Sequence, residues 1–102
     1  MDSNELYAHA RRRFDHETAR RILKEKYEAR MLFAHAGGMW RAGPDLVVLL
    51  QACPATDSVV ILDLYETPVR VDPQELQRLA QQRWQEQMTA WLIEHDQNSR
   101  QR

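Results

Sequence analysis

The chain has 102 residues, of which 14 are Lys or Arg and 15 are Asp or Glu, giving a formal net charge of −1. This length fits one domain over residues 1–102, and a hydrophobic fraction of 43% indicates a globular rather than a disordered protein. Near-neutrality excludes a generally cationic nucleic-acid binder. A single cysteine excludes an internal disulfide and a zinc site built from several cysteines.

The apolar runs and the first residues predict a soluble cytoplasmic protein. The longest uninterrupted apolar runs, at 46–50 and 59–62, are far too short to span a membrane. The first five residues are polar and acidic, which is unlike a signal peptide.

An N-terminal helix begins at Asp2, where Asp2 and Glu5 have the spacing of a capping box. Leu6, Tyr7 and Phe14 share one face of that helix, with Ala10 between them. The apolar positions that follow lie about half a turn away, at Ala19, Ile22, Leu23 and Tyr27.

This shift of the apolar face leaves two interpretations. The helix either breaks near 15–16, so that a helix 3–14 and a helix 16–31 both cover one core, or continues unbroken. In the second case Leu6, Tyr7 and Phe14 form an exposed patch, which indicates a partner.

Turn-forming residues divide the middle of the chain into three elements. Gly37-Gly38 predicts a β-hairpin over 32–42 with His35 opposite Trp40, although the first helix could instead continue to residue 36 and end at Gly37. A short helix is expected over 45–53, although Val47 and Val48 keep a strand possible. A second hairpin is expected over 58–71, and its apolar start favours a strand buried on both faces.

The last element is a long amphipathic helix over 73–96. Asp72 and Pro73 form a cap with proline at the first helical position. An apolar stripe follows at helical spacing, through Leu76, Ala80, Trp84, Met88 and Trp91. Residues 97–102 are expected to fray. The predicted fold class is α+β, with the helices packed on a small antiparallel sheet.

No motif indicates catalysis, a metal or a cofactor. The four histidines, at positions 9, 16, 35 and 95, lack metal-ligand spacing. Cys53, at the end of a predicted helix, is expected to be a small buried hydrophobic residue. Asp63 and Asp72 are interpreted as turn-forming acids. Only a pocket that joined either of them to His35 would favour an enzyme.

The leading hypothesis is therefore a non-enzymatic protein-interaction, assembly or regulatory protein that binds a protein partner, a second copy of itself included. The expected interface residues are Leu6, Tyr7, Phe14, Trp84 and Trp91. Trp84 and Trp91 have an alternative role in the core of the single chain.

A basic first helix supports the alternative of a nucleic-acid-binding regulator. Residues 8–31 hold eight basic and four acidic side chains, an excess that suits phosphate contacts, an acidic partner or a solvated face. The candidate contacts are Arg11, Arg12, Arg13, Arg20, Arg21 and Lys24, in a region that ends at Lys26.

Three segments also resemble small accessory proteins of tailed phages of the T4-like, cyanophage-related kind. They are FAHAGGMW at 33–40, LDLYETPVRVD at 62–72 and RWQEQMTAW at 83–91. The resemblance implies a virus-encoded accessory or assembly protein, located in the host cytoplasm. It assigns a role to no individual residue.

Overall fold

Helices at both ends of the chain enclose two hairpins and a short helix. The structure, a computed structural model, describes residues 2–54 and 57–100. The elements in chain order are α1 (Ser3–Arg30), β1 (Leu32–His35), β2 (Gly38–Arg41), α2 (Pro44–Ala52), β3 (Val59–Leu62), β4 (Pro68–Val71) and α3 (Pro73–Arg100). The α+β order and both hairpins predicted from the sequence are confirmed. α2 begins and ends one residue earlier than expected.

α3 is longer than its apolar stripe predicts. It continues past residue 96 to Arg100, so residues 97–100 are helical, whereas residues 101–102 of the expected frayed tail lie outside the described residues. At its other end Asp72 caps the helix as predicted, because its Oδ1 accepts hydrogen bonds from the amides of Gln74 (3.0 Å) and Glu75 (3.3 Å).

α1 is one unbroken helix, so the interpretation with a break near 15–16 was wrong. Asp2 caps it, with Oδ1 accepting the Glu5 amide at 2.8 Å. Its buried residues, Leu23 and Tyr27, both lie in the second half. Every described residue from 2 to 15 is exposed except the partly covered Ala8. The shifted apolar face therefore marks where α1 leaves the core.

The first hairpin turns one residue earlier than expected. Phe33 pairs with Trp40 and His35 with Gly38, so the predicted pairing of His35 with Trp40 and the helical alternative for residues 32–36 were both wrong. The turn residues Ala36 and Gly37 have φ of 53° and 81°, which is the type I′ pattern. Gly38 is instead required in the strand, because a Cβ there would lie only 3.0 Å from the Trp40 ring.

The second hairpin forms a separate two-stranded ladder, in which Val59 pairs with Val71 and Leu62 with Pro68. Alternate side chains of β3 are exposed, and Leu62 keeps 58% of its surface open to solvent. The expectation that β3 is buried on both faces was therefore wrong. A two-stranded ladder packs one face on the core and leaves the other open.

The core lies where the hairpins meet α2 and α3. Trp40 is 2% exposed, and Leu76 and Ala80 of α3 are fully buried. The remaining buried members of this cluster are Met31, Phe33, Ala42, Leu50 and Val71. Trp84 and Met88 pack against the cluster while staying partly open, so the large side chains of the α3 stripe do not all belong to the interior.

α1 is fastened to α3 by an aromatic stack and a shared carboxylate. The ring of Tyr27 stacks on Trp91, with centroids 5.8 Å apart and planes 7° apart. The Tyr27 hydroxyl and Lys26 Nζ both donate to Glu94 Oε1, at 2.5 and 2.6 Å. The Lys26 ammonium, followed by the Tyr27 hydroxyl, holds the pKa of Glu94 below its usual value. Because Glu94 accepts the hydrogen bond from the Tyr27 hydroxyl, it raises the pKa of Tyr27.

The molecule is elongated because α1 continues beyond this fastening. It measures 67 × 24 × 21 Å with a radius of gyration of 19.5 Å, against about 13 Å for a compact domain of this length. We call residues 3–14 of α1 the arm.

The positive φ of Ala36 leads to a stability test. Ala36→Asn is expected to raise the free energy of unfolding by about 0.5–1 kcal/mol, because asparagine tolerates the left-handed conformation and Asn-Gly favours this turn. Urea unfolding measures the change. The control Ala34→Asn, in the extended backbone of β1, should bring no gain, and equal gains at both positions would contradict the assignment.

Candidate protein-interaction groove

An open groove of about 670 Å³ lies between the end of α1, the first hairpin, the start of α2 and α3. All three tryptophans of the chain, Trp40, Trp84 and Trp91, contribute to its lining. Its volume falls within the roughly 300–1,000 Å³ typical of binding sites. The groove is therefore a concave surface of a size that can hold a ligand.

Three elements position the apolar side chains of the groove. α3 presents Trp84, Met88 and Trp91 at steps of four and three residues, which keeps them on one face. α2 contributes Leu49, which is 46% exposed, and β3 contributes Leu62. These leucines line the groove without belonging to the core, so the groove presents apolar surface to solvent.

The charges that line the groove are mainly negative. Glu28, Asp45 and Asp63 supply three carboxylates against the single guanidinium of Arg41, a formal charge of −2. Because Glu28 lies 3.8 Å from Lys24 in an exposed ion pair, part of its charge is balanced locally. An apolar ligand with basic flanks suits this surface.

Asp63 holds the two hairpins together. Its Oδ2 accepts the Met39 amide of β2 at 3.1 Å, and its Oδ1 accepts the amides of Tyr65 and Thr67, both at 3.0 Å. These bonds, with that from Thr67 the strongest contributor, hold the pKa of Asp63 below its usual value. Asp63 is thus an ionised structural acceptor, which agrees with its expected turn-forming role.

The groove does not assemble the constellation that would favour an enzyme. Asp63 lines it, but among the described residues neither His35 nor Asp72 does. Within residues 2–54 and 57–100, no three His, Cys, Asp or Glu residues cluster closely enough to hold a metal ion. In the same ranges, no helix has the length and apolar character to cross a membrane.

The predicted interface residues fall in two separate places. Trp84 and Trp91 line the groove, half-buried. Leu6, Tyr7 and Phe14 lie on the arm and are 60%, 68% and 65% exposed. Phe14 projects about 180° away from the buried Leu23 on α1. The structure thus leaves the predicted arm patch uncovered and does not join it to the groove.

The predicted nucleic-acid contacts are scattered around α1. Their side chains are all exposed: Arg11, Arg12, Arg13, Arg20, Arg21 and Lys24. Arg13 lies 3.4 Å from Glu17, and Lys24 pairs with Glu28. Since neighbouring residues project about 100° apart on a helix, consecutive arginines do not form one stripe.

Sequence reasoning missed Leu49 and Leu62 as groove residues and misjudged Cys53. The uninterrupted apolar run of β3 does not reveal the alternation that exposes Leu62, and the helical spacing of α2 does not distinguish the exposed Leu49 from the buried Leu50. Cys53 is half-buried rather than buried, with Sγ donating to the Leu49 carbonyl at 3.3 Å, because it follows the last turn of α2.

No protein-family model, curated protein or solved structure matches this chain significantly.

The hydrogen bonds of Asp63 between the two hairpins make the free energy of unfolding depend on pH. The pKa of Asp63 is lowered from 3.8 by folding, so ionised Asp63 stabilises the fold above that value, and this stabilisation is lost as the pH falls through the lowered pKa. Asp63→Asn is expected to lower the urea midpoint at about pH 7, because an amide NH2 cannot accept the Met39 N–H, and to flatten the decline below about pH 4.

Glu66→Gln, an exposed acid in the same turn, is the matched control and should follow wild type at both pH values. An Asp63→Asn protein as stable as wild type at neutral pH would contradict the role of Asp63 in holding the hairpins together.

Proposed function

We propose that the protein is a non-enzymatic interaction module whose groove binds an amphipathic helix of a protein partner. The observation that carries this proposal is one open groove in which the half-buried Trp84 and Trp91 lie beside the exposed Leu49 and Leu62. Tryptophan is enriched among the residues that dominate binding energy at protein interfaces. Exposed apolar surface of this kind is typical of interaction sites.

The composition and charge of the groove favour a helix with basic flanks. Amphipathic helices enter apolar grooves through side chains at positions i, i+3 or i+4, and i+7. The walls offer Leu49, Leu62 and Met88 to such side chains, and the net charge of −2 attracts cations. A role in assembly, which the resemblance to small phage proteins implies, requires this kind of contact.

A selection from a library of amphipathic helical peptides tests the proposal. We expect the selected peptides to carry aromatic or aliphatic residues at helical spacing beside Lys or Arg. Leu49→Glu or Leu62→Glu should weaken their binding at least about tenfold, because each places a charge in the apolar wall. Tryptophan fluorescence during peptide titration gives the affinity.

The chain supplies matched controls for both substitutions. Val48→Glu on α2 and Val60→Glu on β3 change exposed neighbours (62% and 55%) that do not line the groove. Both controls should bind the peptides like wild type. Peptides that bind all four variants equally, or a library that gives no binder, would contradict the proposal.

A further inference from the structure

We propose that the helix bound in the groove is the arm of a second copy of this chain, so that two copies exchange arms. This inference rests on the proposed function and names its partner. The arm has the required chemistry. Leu6, Tyr7 and Phe14 are its exposed apolar residues, and Tyr7 and Phe14 are seven residues apart on one face.

The charges of the arm complement those of the groove. Residues 3–14 contain three arginines and one glutamate, a formal charge of +2 with histidine neutral. The groove lining carries −2. Arg13 immediately precedes Phe14, so an arm seated through its apolar side chains brings cations to an acidic rim.

The arm cannot enter the groove of its own chain. α1 is continuous from Ser3 to Arg30, and Glu28, near its end, lines the groove. At 1.5 Å per residue, Phe14 lies about 21 Å and Leu6 about 33 Å from Glu28 along the helix axis. Because a continuous helix does not fold back on itself, the arm reaches a groove only in another copy.

One face of α1 carries both the apolar patch and the edge of the groove. Ala10, at the centre of the patch, and Glu28 are 18 residues apart, which is five full turns. Two antiparallel α1 helices with Ala10 of one beside Glu28 of the other are related by a two-fold axis near position 19. This register brings Leu6 and Tyr7 level with residues 31–32, which line the groove, and places Phe14 beside Lys24, one turn before Glu28 at the groove edge. It also sets Glu17 opposite Arg21 of the second copy, and Arg13 opposite its Glu25, two pairings of opposite charge.

The area available favours a mutual exchange over a single contact. The three large side chains of the arm each offer roughly 100–150 Å² for burial. One arm in one groove then buries about 700 Å² in total, below the range of stable interfaces, whereas two such contacts bury about 1,400 Å² and reach it.

The oligomeric state of the full-length protein tests the exchange. By size-exclusion chromatography with light scattering, we expect a wild-type dimer. Tyr7→Ala/Phe14→Ala on the arm and Leu62→Glu in the groove should each weaken association at least about tenfold. The control Leu92→Ala/Ile93→Ala removes exposed side chains of α3 outside both surfaces and should leave the dimer intact.

A mixing experiment separates arm exchange from other modes of association. The arm variant retains its groove, and the groove variant retains its arm. A 1:1 mixture should therefore associate more strongly than either variant alone, with one intact contact per pair, and less strongly than wild type. A mixture that associates no better than its components overturns the exchange.

Charge reversal tests the antiparallel arrangement. Arg21→Glu sets like charges opposite each other and should weaken the dimer, while Glu17→Arg/Arg21→Glu restores opposite charges and should recover it. An Arg21→Glu protein that dimerises as tightly as wild type overturns this arrangement.

Failure of this inference is distinguishable from failure of the proposed function. Wild-type protein that stays monomeric up to roughly 0.5 mM overturns the exchange, and so does a dimer insensitive to both the arm and the groove substitutions. If selected peptides still bind in the groove, the proposed function stands with a different partner. If they do not bind there even in the Tyr7→Ala/Phe14→Ala variant, whose groove no arm fills, both fail.

Discussion

The hydrogen bonds of the Asp63 carboxylate link the two hairpins directly. A two-stranded hairpin is marginally stable alone, and this chain has two of them with no ladder between them. Asp63 accepts amides from both, and the Leu64 amide adds a 2.8 Å bond to the Met39 carbonyl. Because Leu62 of the second hairpin and Trp40 of the first both line the groove, its shape depends on this contact between the hairpins.

Local signals predicted the helices well, and they identified Trp84 and Trp91 but not the groove that these residues line. The cap at Asp72-Pro73 and the repeating apolar steps identified α3, and the half-turn shift in α1 indicated that Phe14 could lie outside the core. The groove has no local signature, because its walls come from residues far apart in the chain that packing brings together. The hairpin register differed by one residue because Ala36 adopts a left-handed conformation that sequence rules reserve for glycine or asparagine.

The arm and the groove give one chain two complementary surfaces that it cannot bring together by itself. The continuity of α1 separates them, since the helix that carries Phe14 also contributes Glu28 to the edge of the groove. Burial follows the same division: Tyr27 is 1% exposed, whereas Tyr7 on the same helix is 68% exposed. A single helix therefore serves the core at one end and presents an apolar surface at the other.

The fastening of α1 near Tyr27 makes the helix a lever with its pivot at the Trp91 stack. Leu6 lies 21 residues from Tyr27, about 31 Å along the axis, so a tilt of about 10° at the pivot displaces Leu6 by about 5 Å. Small adjustments in the packing of one aromatic pair thus become large movements at the tip. Conversely, a force applied near Leu6 exerts a torque on Tyr27 and its hydrogen bond to Glu94, because it acts at the far end of the helix.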